Sequence, residues 1–204
     1  GINCQQYDGN IDPAVCRKSY GVGPLDPMVL YVGRLSSQKG PDLLLEAVPG
    51  ILHDRPDAKV LFVGDGAMRS SLERRAKELG VSHAVRFLGA MGPEGDLVNL
   101  FKSADAVCVP SRNEPFGIVV LEAWAAGKPV VVTRTGGPGN FVTHDRDGFV
   151  VDTDAGAICS GLKWIFGDFQ HARWMGEQGR VKAAYGFSWD TIAEQTEGVY
   201  KELS

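Results

Sequence analysis

Residues 106–133 read A-V-C-V-P-S-R-N-E-P-F-G-I-V-V-L-E-A-W-A-A-G-K-P-V-V-V-T. The segment opens on a short, unbroken apolar run, the mark of a strand buried on both faces. Pro110 and Ser111 end that run. Pro115 and Gly117 break the chain again. Residues 118–126 then have helical composition, and Gly127 stops them. Residues 129–133 form a second apolar run. Strand, helix and strand joined this tightly predict a parallel pair with its crossover helix.

The same alternation extends in both directions. Strands are predicted at 28–32, 60–63, 85–88 and 106–109, then at 129–133 and 148–151. A helix after the first strand starts at Pro41, which suits a first turn, repeats Leu44, Val48 and Leu52 at helical spacing, and closes before Pro56. Further helices are predicted at 67–79, 94–103 and 118–126. From Ala155 the pattern is helical throughout, at 155–166, 169–185 and 190–203, with breaks at Gly167 and at 186–188. Residues 1–27 lack a clear period and read as a lead-in with one short helix near 14–20. Residues 28–204 then form one α/β domain, a doubly wound parallel Rossmann-like sheet with extra C-terminal helices. The G-I-N start reads as a beginning in mid-protein.

Composition agrees with one soluble globular domain. The chain has 204 residues, 44% of them apolar and 23% charged, with a net charge of −4. That charge disfavours nucleic acid as a partner. No apolar run approaches the roughly 18 residues of a membrane span, and no charged-then-apolar stretch suggests a secretory leader. Cys4, Cys16, Cys108 and Cys159 are scattered without metal-ligand spacing, as are the four histidines. Reduced thiols in a cytoplasmic protein are expected, with Cys108 in the core.

In such sheets ligands bind beyond the carboxyl ends of the strands. Gly33-Arg34, Gly64, Gly89, Glu114 and the Gly-rich loop 136–139 all fall there. The start of the 118–126 helix offers free N–H donors and a partial positive charge, which suits a phosphate. Glu114 before it and Glu122 inside it suit hydroxyl groups instead. Hydroxyls flanking a phosphate describe a nucleotide sugar. Arg34 and Lys39 read as a diphosphate clamp, a planar fork and a point charge; the bland alternative is two solvated surface cations.

Other features take their bland readings. Gly64-Asp65-Gly66 begins a dinucleotide fingerprint, but Arg69 stands at the third glycine position. A nicotinamide-dependent dehydrogenase is therefore disfavoured. Asp145-Arg146-Asp147 and Asp152-Thr153-Asp154 read as turns and a helix cap rather than metal ligands. Trp164, Trp174 and Trp189 could form a stacking platform for sugars, but packing between the C-terminal helices is expected, since aromatics dominate core burial.

Taken in order, V-G-R-L-S-S-Q-K-G (32–40), V-G-D-G (63–66), V-R-F-L-G (85–89), A-D-A-V-C-V-P-S (104–111), E-P-F-G-I-V-V-L-E-A-W-A-A-G-K-P-V-V (114–131), T-G-G-P (135–138), D-G-F-V-V (147–151) and F-S-W (187–189) resemble the donor-binding, C-terminal domain of the retaining family-4, or "group 1", glycosyltransferases of the GT-B fold. Glycogen synthase and sucrose-phosphate synthase are similar. The Glu, seven residues, Glu pattern is the most specific element.

The resemblance implies a hexosyltransferase of carbohydrate biosynthesis that uses a nucleoside-diphosphate sugar. The transferred hexose would go to a carbohydrate or other hydroxyl acceptor. Catalytic roles fall on Arg34, Lys39 and Glu114. Donor contacts fall on Gly33, Arg34, Lys39, Met91 (base), Glu114, Phe116, Gly117, Ile118, Val119 and Glu122 (ribose). No cofactor or metal is implied. The acceptor domain would be N-terminal and absent here, so the isolated chain should bind donor and transfer nothing; peripheral membrane association would come only through that absent half. A stand-alone nucleotide-sugar-binding module is the alternative. Two positions depart from the family pattern: Asn140 replaces a usual Glu, and Trp124 is bulkier than usual and expected to face inward. The last helix would cross to the missing domain, leaving apolar surface near Trp189, Ile192 and Tyr200.

Overall fold

The computed structural model describes residues 1–92 and 96–202. The expected helix start at Glu94 and the expected last residue of the final helix, Leu203, lie outside them. The lead-in carries a single 3-10 turn, Cys4–Tyr7, and helix α1, Pro13–Ser19. The strands are β1 Met28–Val32, β2 Lys59–Val63, β3 Val85–Gly89, β4 Ala106–Val109, β5 Val130–Thr133 and β6 Gly148–Val151. Helices α2 Pro41–Asp54, α3 Arg69–Glu78, α4 Asp96–Ser103 and α5 Ile118–Ala125 alternate with them. Then come α6 Gly136–Phe141, α7 Ala155–Gly167, α8 Phe169–Gly186 and α9 Trp189–Glu202.

All six strands are parallel, in the order β3-β2-β1-β4-β5-β6. The order reverses between β1 and β4, so the loops after those two strands flank the topological switch point, where open α/β sheets hold ligands. Successive side chains of β1 feed opposite layers, as the two-residue strand period requires. Val29 and Tyr31 join α2, α3, α7 and the start of α8 in one core. Met28 and Leu30 join α4 and α5 in the other. Cys108 is buried, and all four cysteines are free. Among the described residues no helix is long and apolar enough to cross a membrane.

Two expectations fail. The Gly-rich stretch 136–139 is not a loop but the first turn of α6. Gly136, at φ 56°, and Gly137 sit so close beneath the 114–116 backbone that side chains would collide with it, and Gly137 N–H donates to Glu114 O at 2.9 Å. The glycines are there for close approach, not for looseness. The three tryptophans of the C-terminal helices are not packed away either. Trp164 is 71% exposed, Trp189 60% and Trp174 46%. The helices instead approach through small residues. Gly176 and Gly179 of α8 press on Gly127 and on the Trp124 ring of α5. Trp124 faces inward as expected and is fully buried. The α9 surface near Trp189 is partly a self-contact, because Trp189 and Ile192 lie against Gly1.

The lead-in is tied to the bottom of the sheet rather than loosely draped. Buried Arg17 of α1 donates to Ser103 O and Gly23 O, contacts Asp26 O, and pairs with Asp105 at 3.3 Å. Asp105 in turn accepts from the Met28 N–H that opens β1.

Candidate functional site

The loop after β1 and the loop after β4 meet in one ion pair. Lys39 Nζ lies 2.7 Å from Glu114 Oε2, and Ser111 Oγ donates to the same oxygen at 3.1 Å. Glu114 is only 8% exposed, so this carboxylate has exchanged water for an ammonium and a hydroxyl, as a buried charge must. Gly33, Lys39, Ser111, Glu114 and Val119 line a small cavity there, with Tyr31 and Val32 beneath.

Each loop is held by its own strand and by the other loop. Tyr31 Oη donates to Arg34 O at 2.7 Å, shaping the turn that leaves β1. Thr133, the last residue of β5, and Thr135, just past it, both donate to Ser111 O. Arg112 grips Asp42 at the start of α2 with both ends of its fork, at 2.8 and 2.7 Å, and also donates to Ser37 O at 2.9 Å. Its own N–H donates to Gln38 O at 2.8 Å. A bidentate pair of this kind fixes orientation as well as distance. Burial pushes the Asp42 pKa up, but the Arg112 bonds outweigh it and hold the carboxyl below its usual value. Sequence reasoning missed Ser111, Arg112, Thr133 and Thr135. The signal for Ser111 was its place two residues past the end of β4, on the ligand edge.

Arg34 is exposed, and among the described residues no carboxylate pairs with it. Gly117, at φ 86°, sits against the Pro138 ring, which a side chain at that position would strike. It launches α5 with N–H groups facing the ligand edge. Phe116 is half-exposed with its ring 6.1 Å from that of Phe141, and Ile118 is similarly open. Met91 is half-buried against the α4–α5 core layer.

Glu122 stands apart from the Lys39–Glu114 pair, one turn further along α5, on the side that approaches the Cys4–Tyr7 turn. Burial pushes its pKa up to about 7. Because the folded value exceeds the unfolded 4.5, the cost to stability is absent below that value, grows as pH rises, and is complete above about 7. Glu122→Gln is therefore expected to stabilise the fold by about 2 kcal/mol at pH 8 and by almost nothing at pH 4. Urea denaturation at the two pH values measures this; an equal effect at both removes the buried-carboxylate account.

Two carboxylates of the acidic strings serve the fold. Asp154 caps α7 through Ala157 N–H at 2.8 Å. Asp147 accepts from Thr143 N–H and pairs with Lys182, each at 2.8 Å.

A larger groove lies elsewhere, along β6 and α7, and shares no residue with the β1/β4 cavity.

A family model for glycosyl transferases group 1 matches residues 16–182. The chain is 41% identical over 206 residues to an uncharacterized glycosyltransferase of Methanocaldococcus jannaschii, covering 98% of this chain and 52% of that protein. It is 40% identical over 197 residues to the D-inositol 3-phosphate glycosyltransferase of Corynebacterium urealyticum, covering 92% and 46%. Among solved structures, Anabaena Alr3699/HepE in complex with UDP superposes with a TM-score of 0.90 at 26% identity, over 99% of this chain and 56% of that one. The sucrose-phosphate synthase of Thermosynechococcus elongatus superposes at 0.83 and 30% identity, over 100% and 51%. The chain spans about half the length of these relatives and has the architecture of one half of a GT-B fold. With the family model matching most of its length, the chain belongs to the group 1 glycosyl transferases.

Proposed function

We propose that this chain binds a nucleoside-diphosphate sugar across the β1/β4 switch point and forms the donor half of a retaining hexosyltransferase, the acceptor site belonging to a separate N-terminal half. The observation that carries this is the Lys39–Glu114–Ser111 constellation at the carboxyl ends of β1 and β4. Arg34 and Lys39 would hold the diphosphate and stabilise the charge that develops on it as the sugar leaves, an electrostatic contribution of the kind that dominates many enzymes. Positive charge from these two side chains and from the α5 N-terminus would let the reaction proceed without a metal, and Asp154 and Asp147 of the acidic strings are held in a helix cap and an ion pair. Glu114 would turn from Lys39 towards the sugar hydroxyls. Gly33 and the backbone at Phe116, Gly117, Ile118 and Val119 would reach the phosphates and sugar, Met91 the base, and Glu122 the ribose. HepE, solved with UDP and with UDP-glucose, supports UDP as the first nucleotide to test. The four free thiols support a reducing, cytoplasmic setting.

Calorimetric titration with UDP, GDP, ADP and dTDP tests the reading. At least one is expected to bind at a single site, and no binding by any of the four refutes it. A ribose that donates hydroxyl bonds to Glu122 favours its ionised form. Affinity is therefore expected to rise as pH passes through about 7, with proton release on binding below that value. Affinity that is flat from pH 6 to 8 removes Glu122 from the ribose site.

Arg112 is expected to act through Lys39 and Glu114 by holding their loops in register. Arg112→Ala should weaken binding by about tenfold, through lost preorganisation. Asp42→Ala should do the same, and the double variant should be no worse than either, since the two share one interaction. Additive losses would show that each acts separately.

A further inference from the structure

The three exposed tryptophans leave Trp164 without the packing role expected of it. It stands on α7 beside a groove of about 670 Å³ between α7 and the outer edge of β6. That volume falls within the roughly 300–1,000 Å³ of small-molecule sites. The groove combines the indole with groups of both hydrogen-bonding senses: Arg134, Asp152, Ser160, Asp145 and His171. Arg134 and Asp152 are only loosely paired, at 3.7 Å, with both side chains largely in solvent. The far wall is firm. Asp145, at φ 62°, is held by His171 at 2.9 Å, and the His171 ring stacks on Trp174 at 5.3 Å.

Several ligand classes do not fit. An edge strand invites an extended peptide through its free backbone groups, but here the chain closes the edge itself. His144 Nδ1 lies 3.1 Å from both the N–H nitrogen and the carbonyl oxygen of Val150, and Asp145 N–H donates to Gly148 O at 2.9 Å. Phosphates and nucleic acid meet a rim with Asp145, Asp152 and Asp168 against Arg134. A purely apolar ligand would leave those polar groups unsatisfied. A neutral sugar satisfies the whole set. Its ring has an apolar C–H face that packs on an exposed indole and a rim of hydroxyls that both donate to carboxylates and accept from a guanidinium.

We propose that the β6–α7 groove is a second carbohydrate site, in which Trp164 stacks on a ring of a neutral oligosaccharide while Asp152 and Arg134 hold its hydroxyls. This site lies apart from the β1/β4 edge and does not depend on the reading of that edge.

Amide and indole NMR spectra of the chain, titrated separately with maltotriose, cellotriose, mannotriose and UDP, test the proposal. At least one trisaccharide is expected to shift the Trp164 indole and the amides of Val151, Asp152 and Ser160, with a dissociation constant on the order of 1 mM. Trp164→Ala, an exposed substitution compatible with folding, is expected to weaken that binding by at least about tenfold and to leave the UDP-induced shifts unchanged. The proposal is overturned if no trisaccharide moves these signals at tens of millimolar, if the shifts fall at Lys39 and Glu114 instead, or if Trp164→Ala binds as well as the parent. Because UDP and sugar shifts are read on separate residues, failure of the donor reading leaves this result intact.

Discussion

Replacing Arg34 and Lys39 together with alanine is expected to lower the affinity for a nucleoside diphosphate by about 10²- to 10⁴-fold. Each cation would make charge-assisted bonds to phosphate, worth roughly 1.5–3 kcal/mol apiece. The single variants should differ in character. Arg34 is exposed and unpaired among the described residues, so Arg34→Ala removes a phosphate contact and little else. Lys39 is bound to Glu114 at 2.7 Å, so Lys39→Ala also strands a buried carboxylate. That variant should lose stability as well as affinity, by about 1–3 kcal/mol. Lys39→Ala/Glu114→Gln should recover the stability but not the affinity. Calorimetry and denaturant titration on the same four proteins separate the two effects. Normal nucleotide binding by the double alanine variant would refute the clamp.

Trp124→Ala is expected to have the largest effect on folding. The ring is fully buried, packs edge-on to Phe141 at 5.7 Å, and presses on Gly179 of α8. Its indole N–H donates to Asp147 O at 2.8 Å, and Lys182 Nζ sits 5.1 Å from its centroid while pairing with Asp147. Truncation opens a cavity against a glycine that cannot fill it and leaves a buried carbonyl without its donor. The expected loss is about 3–5 kcal/mol, read as a lower midpoint in guanidinium chloride. Trp164→Ala is the matched control, with an expected change within about 0.5 kcal/mol. Equal losses in the two variants would refute the burial argument. The bulky residue also explains the helix pairing: glycines at 176 and 179 let α8 approach α5 closely despite it.

The strands were legible because a strand buried on both faces writes itself as an unbroken apolar run, and β1, β4 and β6 match their predicted bounds residue for residue. Alternation with helices then gave the parallel sheet. The strand order was not legible: nothing in Met28–Val32 or Ala106–Val109 says that these two runs pair. The Gly-rich stretch misled because glycine usually marks a loop, whereas here tertiary contact with the 114–116 backbone selects helix and needs the missing Cβ. The tryptophans misled because composition reports apolarity without direction. Glu114 and Lys39 were each visible as candidates, but their ion pair spans 75 positions and needed the sheet to bring it together. Arg112, reaching across to Asp42, was hidden for the same reason.

The central claim is that the β1/β4 edge holds the nucleotide. Amide NMR mapping of UDP on this chain tests it most directly. Saturable shifts are expected at Gly33, Lys39 and Gly117 through Glu122, abolished in Arg34→Ala/Lys39→Ala. Saturable shifts confined to other surfaces, or shifts at these residues that survive the double substitution, would contradict it.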